Sequence, residues 1–284
     1  MLRIFPTTSE RTLLTNVANL FLLLLLFAVS ASKSLAQENN DLDAYSLRFE
    51  GFWVYSQPSG SFHGTGSQGR FDLQTDANFN SYNTGGGTME WKFTRKNHLF
   101  VGAVPLNQSK QIVLTRTIVF QGQTFSPGLA ASARLQTYFI TPGYQYDIIR
   151  RRQGHLGIVA QLNLMYINGS LKVAVQTLNG TLHTAQASSA TLRAPLPVFG
   201  PDFRYYLIPN SNRLFVAGNV LGMYFFGYGN FVSSYGTLGI SLNRYLSLQG
   251  GYRLSSHINI KSKNDRIGLD LTQRGAIAGL EVSF

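Results

Sequence analysis

Cysteine is absent from the 284 residues, which excludes a disulfide framework, thiolate metal sites, a cysteine nucleophile and a lipid-modified cysteine anchor. Charge is scarce as well: Asp, Glu, Lys and Arg make up 13% of the chain, about half the share of a soluble domain. Long apolar runs are missing outside LFLLLLLFAV at 20–29, so no helical span of about 20 apolar residues is available. Histidines are scattered and acidic residues do not cluster, so no metal constellation is visible. The glycine-rich stretches GTGSQG (64–69) and TGGG (84–87) open no helix after a strand, which argues against a phosphate cradle, and no cofactor is expected. What the chain holds in quantity is glycine (28), phenylalanine (20) and tyrosine (14). Low charge with many aromatics and glycines suits a membrane β-protein.

The one apolar block has an address written around it. Arg3 and Arg11 precede residues 20–29, and SASKSLAQ follows, with Ser34 and Ala36 in the −3 and −1 places before Gln37. This is the three-part pattern of a secretory signal peptide, expected over 1–36 with cleavage after Ala36. The expected mature chain, 37–284, keeps a net charge of roughly +9 from the full +11, because the leader takes away three basic residues and one acidic one. Export from the cytoplasm argues against a nucleic-acid partner.

Beyond residue 37 the apolar positions recur at period two, the strand signature. In YSLRFEGFWVY, Tyr45, Leu47, Phe49, Gly51, Trp53 and Tyr55 share one face, with Ser46, Arg48 and Glu50 on the other. GTMEWKFT sets Met89, Trp91 and Phe93 against Thr88, Glu90, Lys92 and Thr94. Four short polar turns lead into leucine-started strands: KNHLFVGA at 96, QGHLGIVA at 153, SNRLFVAG at 211 and LNRYLSLQGG at 242. The opposite connections are longer, as in QTFSPGLAAS and NGTLHTAQASSATLRA. Short turns on one side and long loops on the other define an all-β, transmembrane, antiparallel up-and-down β-barrel. Ten strands are expected, at 44–56, 84–95, 98–119, 129–149, 155–176, 190–208, 214–229, 232–244, 246–261 and 268–284, with eight or twelve as alternatives. GRFDLQTDANF (69–79) would make the count odd, so it reads as the outer extension of the second strand or part of the first loop. Many aromatics fall near strand ends, among them Tyr45, Tyr144, Tyr146, Tyr205, Tyr206 and Tyr245, as interfacial girdles require.

The last residues, GAIAGLEVSF, alternate Ala276, Ala278, Leu280, Val282 and Phe284 on one face. This pattern resembles the closing strand of bacterial outer-membrane β-barrel proteins, and the size is similar to the small OmpA/OmpW-like barrels. The resemblance implies residence in the outer membrane and Leu280, Val282 and Phe284 as the signal read by the barrel-assembly machinery. No peptidoglycan-binding domain follows in this sequence, so the resemblance carries no cell-wall anchoring role. A charged residue appended beyond Phe284 is expected to lower the assembled, heat-modifiable fraction on a gel; unchanged assembly would remove the signal role.

Candidate chemistry lies on the inward faces. Arg48 and Glu50, Glu90 and Lys92, Arg253 and Glu281 interleave both signs on four strands that become neighbours once the last strand pairs with the first. Buried charges persist when paired, so these six are expected to form an ion-pair network across the seam that fills part of a narrow lumen; the alternative is a small water-filled pore. His98 and His155 start strands at the short turns and read as turn caps, and His183 falls in a long loop. Only His63 and His257 reach the outer rim, with no catalytic motif around them, so an enzyme is not expected. The cations divide between Arg95, Lys96, Arg150, Arg151, Arg152, Arg213 and Arg244 at the short turns and Lys110, Arg116, Lys172, Arg193, Lys261, Lys263 and Arg266 at the other end. The first group faces anionic headgroups and the second the phosphates of lipopolysaccharide. The expected role is structural or adhesive, as a monomer among outer-membrane lipids; a passive pore for small solutes or apolar compounds is the alternative, and a lipid-active enzyme ranks third.

Overall fold

Alternation of bulky apolar and small or polar residues, repeated between turns, closes here into a single cylinder. The computed structural model describes residues 41–63, 70–74, 76, 79, 81–120, 123–176, 182–225, 229–261 and 268–284. The expected signal peptide, the glycine-rich 64–69, Lys263 and Arg266 lie outside these. Thirteen strands follow in order: β1 (Leu47–His63), β2 (Arg70–Asp72), β3 (Tyr82–Lys92), β4 (Asn97–Val113), β5 (Ile118–Phe120), β6 (Gln123–Phe125), β7 (Ala130–Arg151), β8 (Gly154–Gln176), β9 (Leu182–Tyr206), β10 (Leu214–Phe225), β11 (Gly229–Ser241), β12 (Leu246–Lys261) and β13 (Gly268–Ser283). No helix occurs among the described residues.

Ten of these are the staves. Each pairs antiparallel with its chain neighbour in the order β13-β12-β11-β10-β9-β8-β7-β4-β3-β1, and β1 returns to pair with β13 from Arg48↔Ser283 to His63↔Gly268. Closure leaves no free edge along that seam, which is what a bilayer demands of a β-structure. β2 occupies the edge of β1 beyond the point where β3 leaves it, Ser61↔Asp72 against Ser56↔Tyr82. It is therefore the outer continuation of the second pass, and the count stays even. β5 and β6 form a separate hairpin. One expectation changes: residues 182–189, read as loop, are strand paired to β8, His183 included. The segment TLHTAQASSATL has too little apolar alternation to announce a strand that stands beyond the membrane.

The staves are unequal. β7, β8 and β9 have 22, 23 and 25 residues, whereas β10 and β11 have 12 and 13. Since 9–11 residues cross a bilayer at the usual tilt, about half of β9 stands beyond it. Three prolines in β9 take a single orientation. Tyr206 donates its N–H toward the β8 side, to Gln153 O, so by alternation the odd positions Pro195, Pro197 and Pro201 turn their missing N–H toward β10. The β8 ladder is unbroken past all three, while the β10 ladder lapses at Pro201 and Gly200, between Asn219↔Asp202 and Gly222↔Phe199.

The outward face carries Trp53, Trp91, Leu99, Ile158, Phe199, Leu238 and Leu280, each more than two-fifths exposed; in a water-soluble protein such a surface would aggregate. Aromatics gather at the short-turn end, where Phe284 packs edge-on against Phe49 (6.5 Å between centroids) and beside Tyr245 (6.2 Å). This belt is lipid-facing. Inside, three phenylalanines each lie directly opposite a glycine: Phe52↔Gly86, Phe100↔Gly143 and Phe215↔Gly239. A Cβ on Gly239 would come within 2.0 Å of the Phe215 ring, so the bare backbone is what allows a large ring to lie against the wall of a narrow barrel.

The interior divides by height. Toward the short turns it is charged. Toward the outer end it is apolar, with Ile167, Leu171, Val173, Ile258 and Leu271 buried there, joined by Leu73, Phe79, Leu114, Ile118 and Phe125 from the connections. Arg116 of the β4–β5 connection bonds Asp76 of the β2–β3 connection, fastening the two together. The outer mouth is thus covered by an apolar cluster rather than left as a polar vestibule.

Candidate functional site

The charged half of the lumen is organised around a residue outside every strand. Residues 41–46 turn into the short-turn mouth, where Leu42 donates its N–H to Arg152 O and Asp43 is 2% exposed. Arg48 Nη2 donates to Asp43 Oδ1 at 2.6 Å and Tyr206 Oη to the same oxygen at 3.3 Å. Lys92 Nζ and Arg150 Nη1 stand 3.5 Å from Oδ2, His155 Nδ1 3.1 Å from it, and Arg204 Nε 3.8 Å from Oδ1. Lys92 Nζ and Arg150 Nη2 also donate to the Asp43 carbonyl, both at 2.9 Å. One carboxylate thus sits among four basic side chains drawn from β1, β3, β7 and β9.

The surrounding carboxylates satisfy the same cations from behind. Arg204 donates both terminal nitrogens to Glu281, at 2.7 and 2.9 Å, the bidentate geometry that makes Arg–carboxylate pairs strong. Its guanidinium also lies 3.7 Å over the Phe215 ring. Arg48 bridges Glu281 at 3.4 Å and Glu90 at 3.5 Å. Tyr45 donates to Glu90 at 2.5 Å and receives Arg48 and Lys92 on its ring, at 3.6 and 4.0 Å. Each buried histidine spans two acids: His98 joins Glu90 (2.5 Å) and Asp147 (3.1 Å), and His155 joins Asp43 and Asp202 (3.2 Å). Arg150 closes the ring onto Asp147 at 2.6 Å and reaches Asp41 at 3.3 Å.

Of the six residues expected to interact across the seam, Arg48, Glu90, Lys92 and Glu281 stand in this cluster, tied through Asp43 and Arg204. Glu50 and Arg253 do not. Glu50 is directly opposite Glu281 and accepts a hydrogen bond from Gln249 at 2.5 Å. Arg253 pairs across the ladder with Gly275, six residues farther along β13 than Glu281, roughly 20 Å of strand at about 3.3 Å per residue. Neither makes an ion pair among the described residues. The histidines are corrections as well: His98 and His155 are not turn caps, since the alternation that turns Leu99 and Leu156 to lipid turns them inward. Tyr45 and Tyr206 likewise point into the lumen rather than join a girdle, and Arg150 is buried rather than placed at headgroups. Leu280 and Phe284 face outward, and the Phe284 carbonyl accepts from the Ser46 and Leu47 amides.

Asp41 and Asp43 lie ahead of the first stave. Burial alone would raise both carboxyls, but Arg95 and Arg150 hold Asp41 below its ordinary value of 3.8, and Lys92 and Arg48 hold Asp43 well below it. A depressed folded value means that each contributes stability above pH 3.8 that is lost as pH falls through the still lower folded value. The denaturant midpoint is therefore expected to hold from pH 7 to 5 and to fall below about pH 4, with a smaller acid loss in Asp41→Asn. Equal acid loss in both proteins would remove Asp41 from the account.

Above the cluster lies a cavity of about 270 Å³, floored by Arg48, Glu90 and Glu281, walled by Phe52, Phe100 and Leu221, and reaching Tyr235 and Arg253. At the outer rim His257 meets Thr272 Oγ1 at 2.9 Å and Asp270 at 3.8 Å. The three stand on the outside of the wall, since Ile258 and Leu271 between them are buried inward.

A closed ten-stranded cylinder with a lipid-facing belt, aromatic end residues and a charged interior defines the class: an outer-membrane β-barrel. No family model matches the chain, and no curated protein matches it in sequence. Among solved structures it is similar to the outer membrane protease OmpT of Escherichia coli, at 11% identity and a TM-score of 0.51, over 86% of this chain and 100% of that one. It is also similar to the transport unit of the autotransporter AIDA-I of Escherichia coli (10%, TM-score 0.41, 91% and 97%) and to the attachment invasion locus protein Ail of Yersinia pestis (10%, TM-score 0.35, 82% and 99%). At these identities the likeness is one of fold.

Proposed function

We propose that this barrel is non-conducting and non-enzymatic, a monomer that serves the outer membrane through what it presents outside: a structural or adhesive surface protein. The observation that carries the reading is the buried Asp43, held by Arg48, Lys92, Arg150 and Arg204 across the short-turn mouth. A solute path would have to run through these contacts and then through the apolar cover at the other end. The raised wall of β7–β9 supports an outward role, because its paired backbone offers a stiff platform beyond the lipid. Exposed Lys172 and Arg193 on that wall, with exposed Lys110 on the neighbouring β4, suit phosphate groups of lipopolysaccharide, each contact contributing on the order of 1 kcal/mol and screened by salt. Passage through the barrel-assembly machinery belongs to the same reading.

Planar-bilayer recording of the purified protein is expected to show no steady open level. Large, lasting steps would replace this reading with the passive pore. Release of acyl chains detected by lipid A mass spectrometry would replace it with the enzyme.

A further inference from the structure

Arg253 is the lumen's anomaly. It lines the cavity, no carboxylate among the described residues pairs with it, and its buried Nε has no hydrogen-bond partner. Among the described residues its one side-chain bond is a long 3.4 Å contact to Gln273. A half-buried guanidinium without a counter-charge is costly, and the groups nearest it are hydroxyls, with the acids Asp202, Glu50 and Glu90 acting on the Tyr235 side of the chamber. Cross-strand pairing sets Tyr82, Ser56, Gly275, Arg253 and Tyr235 in one continuous row over β3, β1, β13, β12 and β11. The phenols of Tyr82 and Tyr235 lie within electrostatic reach of the guanidinium, the Ser56 hydroxyl is fully buried beside Tyr82, and Gly275 leaves the middle of the row without a side chain. On the short-turn side of the row the cavity is walled by Phe52 and Ile277, and on the outer side by Phe231 and Leu221.

We propose that this chamber is a binding site for a small monocarboxylate with an apolar body, its carboxylate on Arg253 with Tyr235 as hydrogen-bond donor, its body against Phe231 and Ile277. One guanidinium neutralises one negative charge, which favours a carboxylate over a phosphate dianion. Glu50, the cavity's own unmatched acid, is six residues nearer the short turns along β1 than Ser56 and is engaged by Gln249, so it leaves the Arg253 end free for an anion. The β9–β10 ladder lapses beside Leu221, and an apolar body suits arrival from the lipid side.

The test uses 4-fluorobenzoate and its neutral counterpart 4-fluorobenzamide as probes, followed by fluorine NMR on the full barrel in zwitterionic detergent. Benzoate is expected to bind at least tenfold more tightly than the amide, Arg253→Gln to abolish that preference, and Arg253→Lys to keep most of it. Heat-modifiability on gels reports that each variant is folded. Arg253→Gln without ligand is expected to resist heat at least as well as the parent, since it removes an unpaired half-buried charge, whereas a merely structural arginine would lose resistance. No benzoate binding by the parent, equal affinity for acid and amide, or benzoate affinity unchanged in Arg253→Gln would each overturn the proposal. Bilayer conductance is unaffected by any of these results, so the closed-barrel reading stands or falls separately.

Discussion

Asp43→Ala should destabilise the barrel by about 3–5 kcal/mol and open its short-turn mouth to ions. The magnitude is that of breaking a buried ion pair by removing one partner; here the loss leaves Arg48, Lys92, Arg150 and Arg204 facing one another across the place the carboxylate held. Glu281, Glu90 and Asp147 still neutralise part of that charge, so the fold should assemble and the deficit should appear in the denaturant midpoint and in bilayer conductance. Asp43→Asn keeps the acceptor oxygen but not the charge, and should fall between the parent and the alanine variant. A midpoint unchanged in Asp43→Ala would mean that the cations find water or lipid counter-charge without it, and the hub would lose its structural role.

The second large effect is steric. Gly239→Ala places a methyl group 2.0–2.5 Å from three carbons of the Phe215 ring, well inside contact distance. The ring is held from its other side by Arg204 and edge-on by Tyr206 at 5.7 Å, and Phe215 itself is 0% exposed. Overpacking of this kind costs typically about 1–3 kcal/mol, or more where nothing can give. Adding Phe215→Ala should recover a good part of the loss, a coupling that a double-mutant cycle reads directly. Gly236→Ala, three residues earlier on the same strand with nothing within 4 Å of its added Cβ, is the control and should be near neutral. Equal losses at 236 and 239 would show that the cost is backbone propensity, not the ring.

How much of this was legible in the sequence depends on what each signal reports. Period-two alternation finds staves with one face in lipid, and it placed ten passes with ends mostly within a few residues. It failed at 182–189, the end of β9 that stands beyond the lipid, where no lipid imposes a pattern. For Arg48, Glu90, Lys92 and Glu281, a charge between lipid-facing apolar residues was sufficient to place them in the lumen. The same rule was available for His98, His155, Asp202 and Arg204, each flanked by an outward Leu, Phe or Tyr, but the histidines' proximity to turns drew attention to capping. Asp43 carried no such signal. It lies before the first alternating residue, in a polar lead-in that reads as a tail, and only the folded mouth shows that it is surrounded. Arg253 was correctly turned inward, yet face alone says nothing of height, and height separates it from Glu281.

The cluster around Asp43 joins residues 43, 48, 92, 150, 155, 204 and 281, so it draws on both ends of the chain and on the middle. Its contacts to Glu281, from Arg48 and Arg204, form only once β13 has docked on β1, so the set as a whole is complete only at closure. Interactions that form after the rate-limiting barrier do not speed assembly; they slow escape. The hub should therefore make itself felt as persistence, a long lifetime of the closed state, with its removal shortening that lifetime far more than it delays insertion.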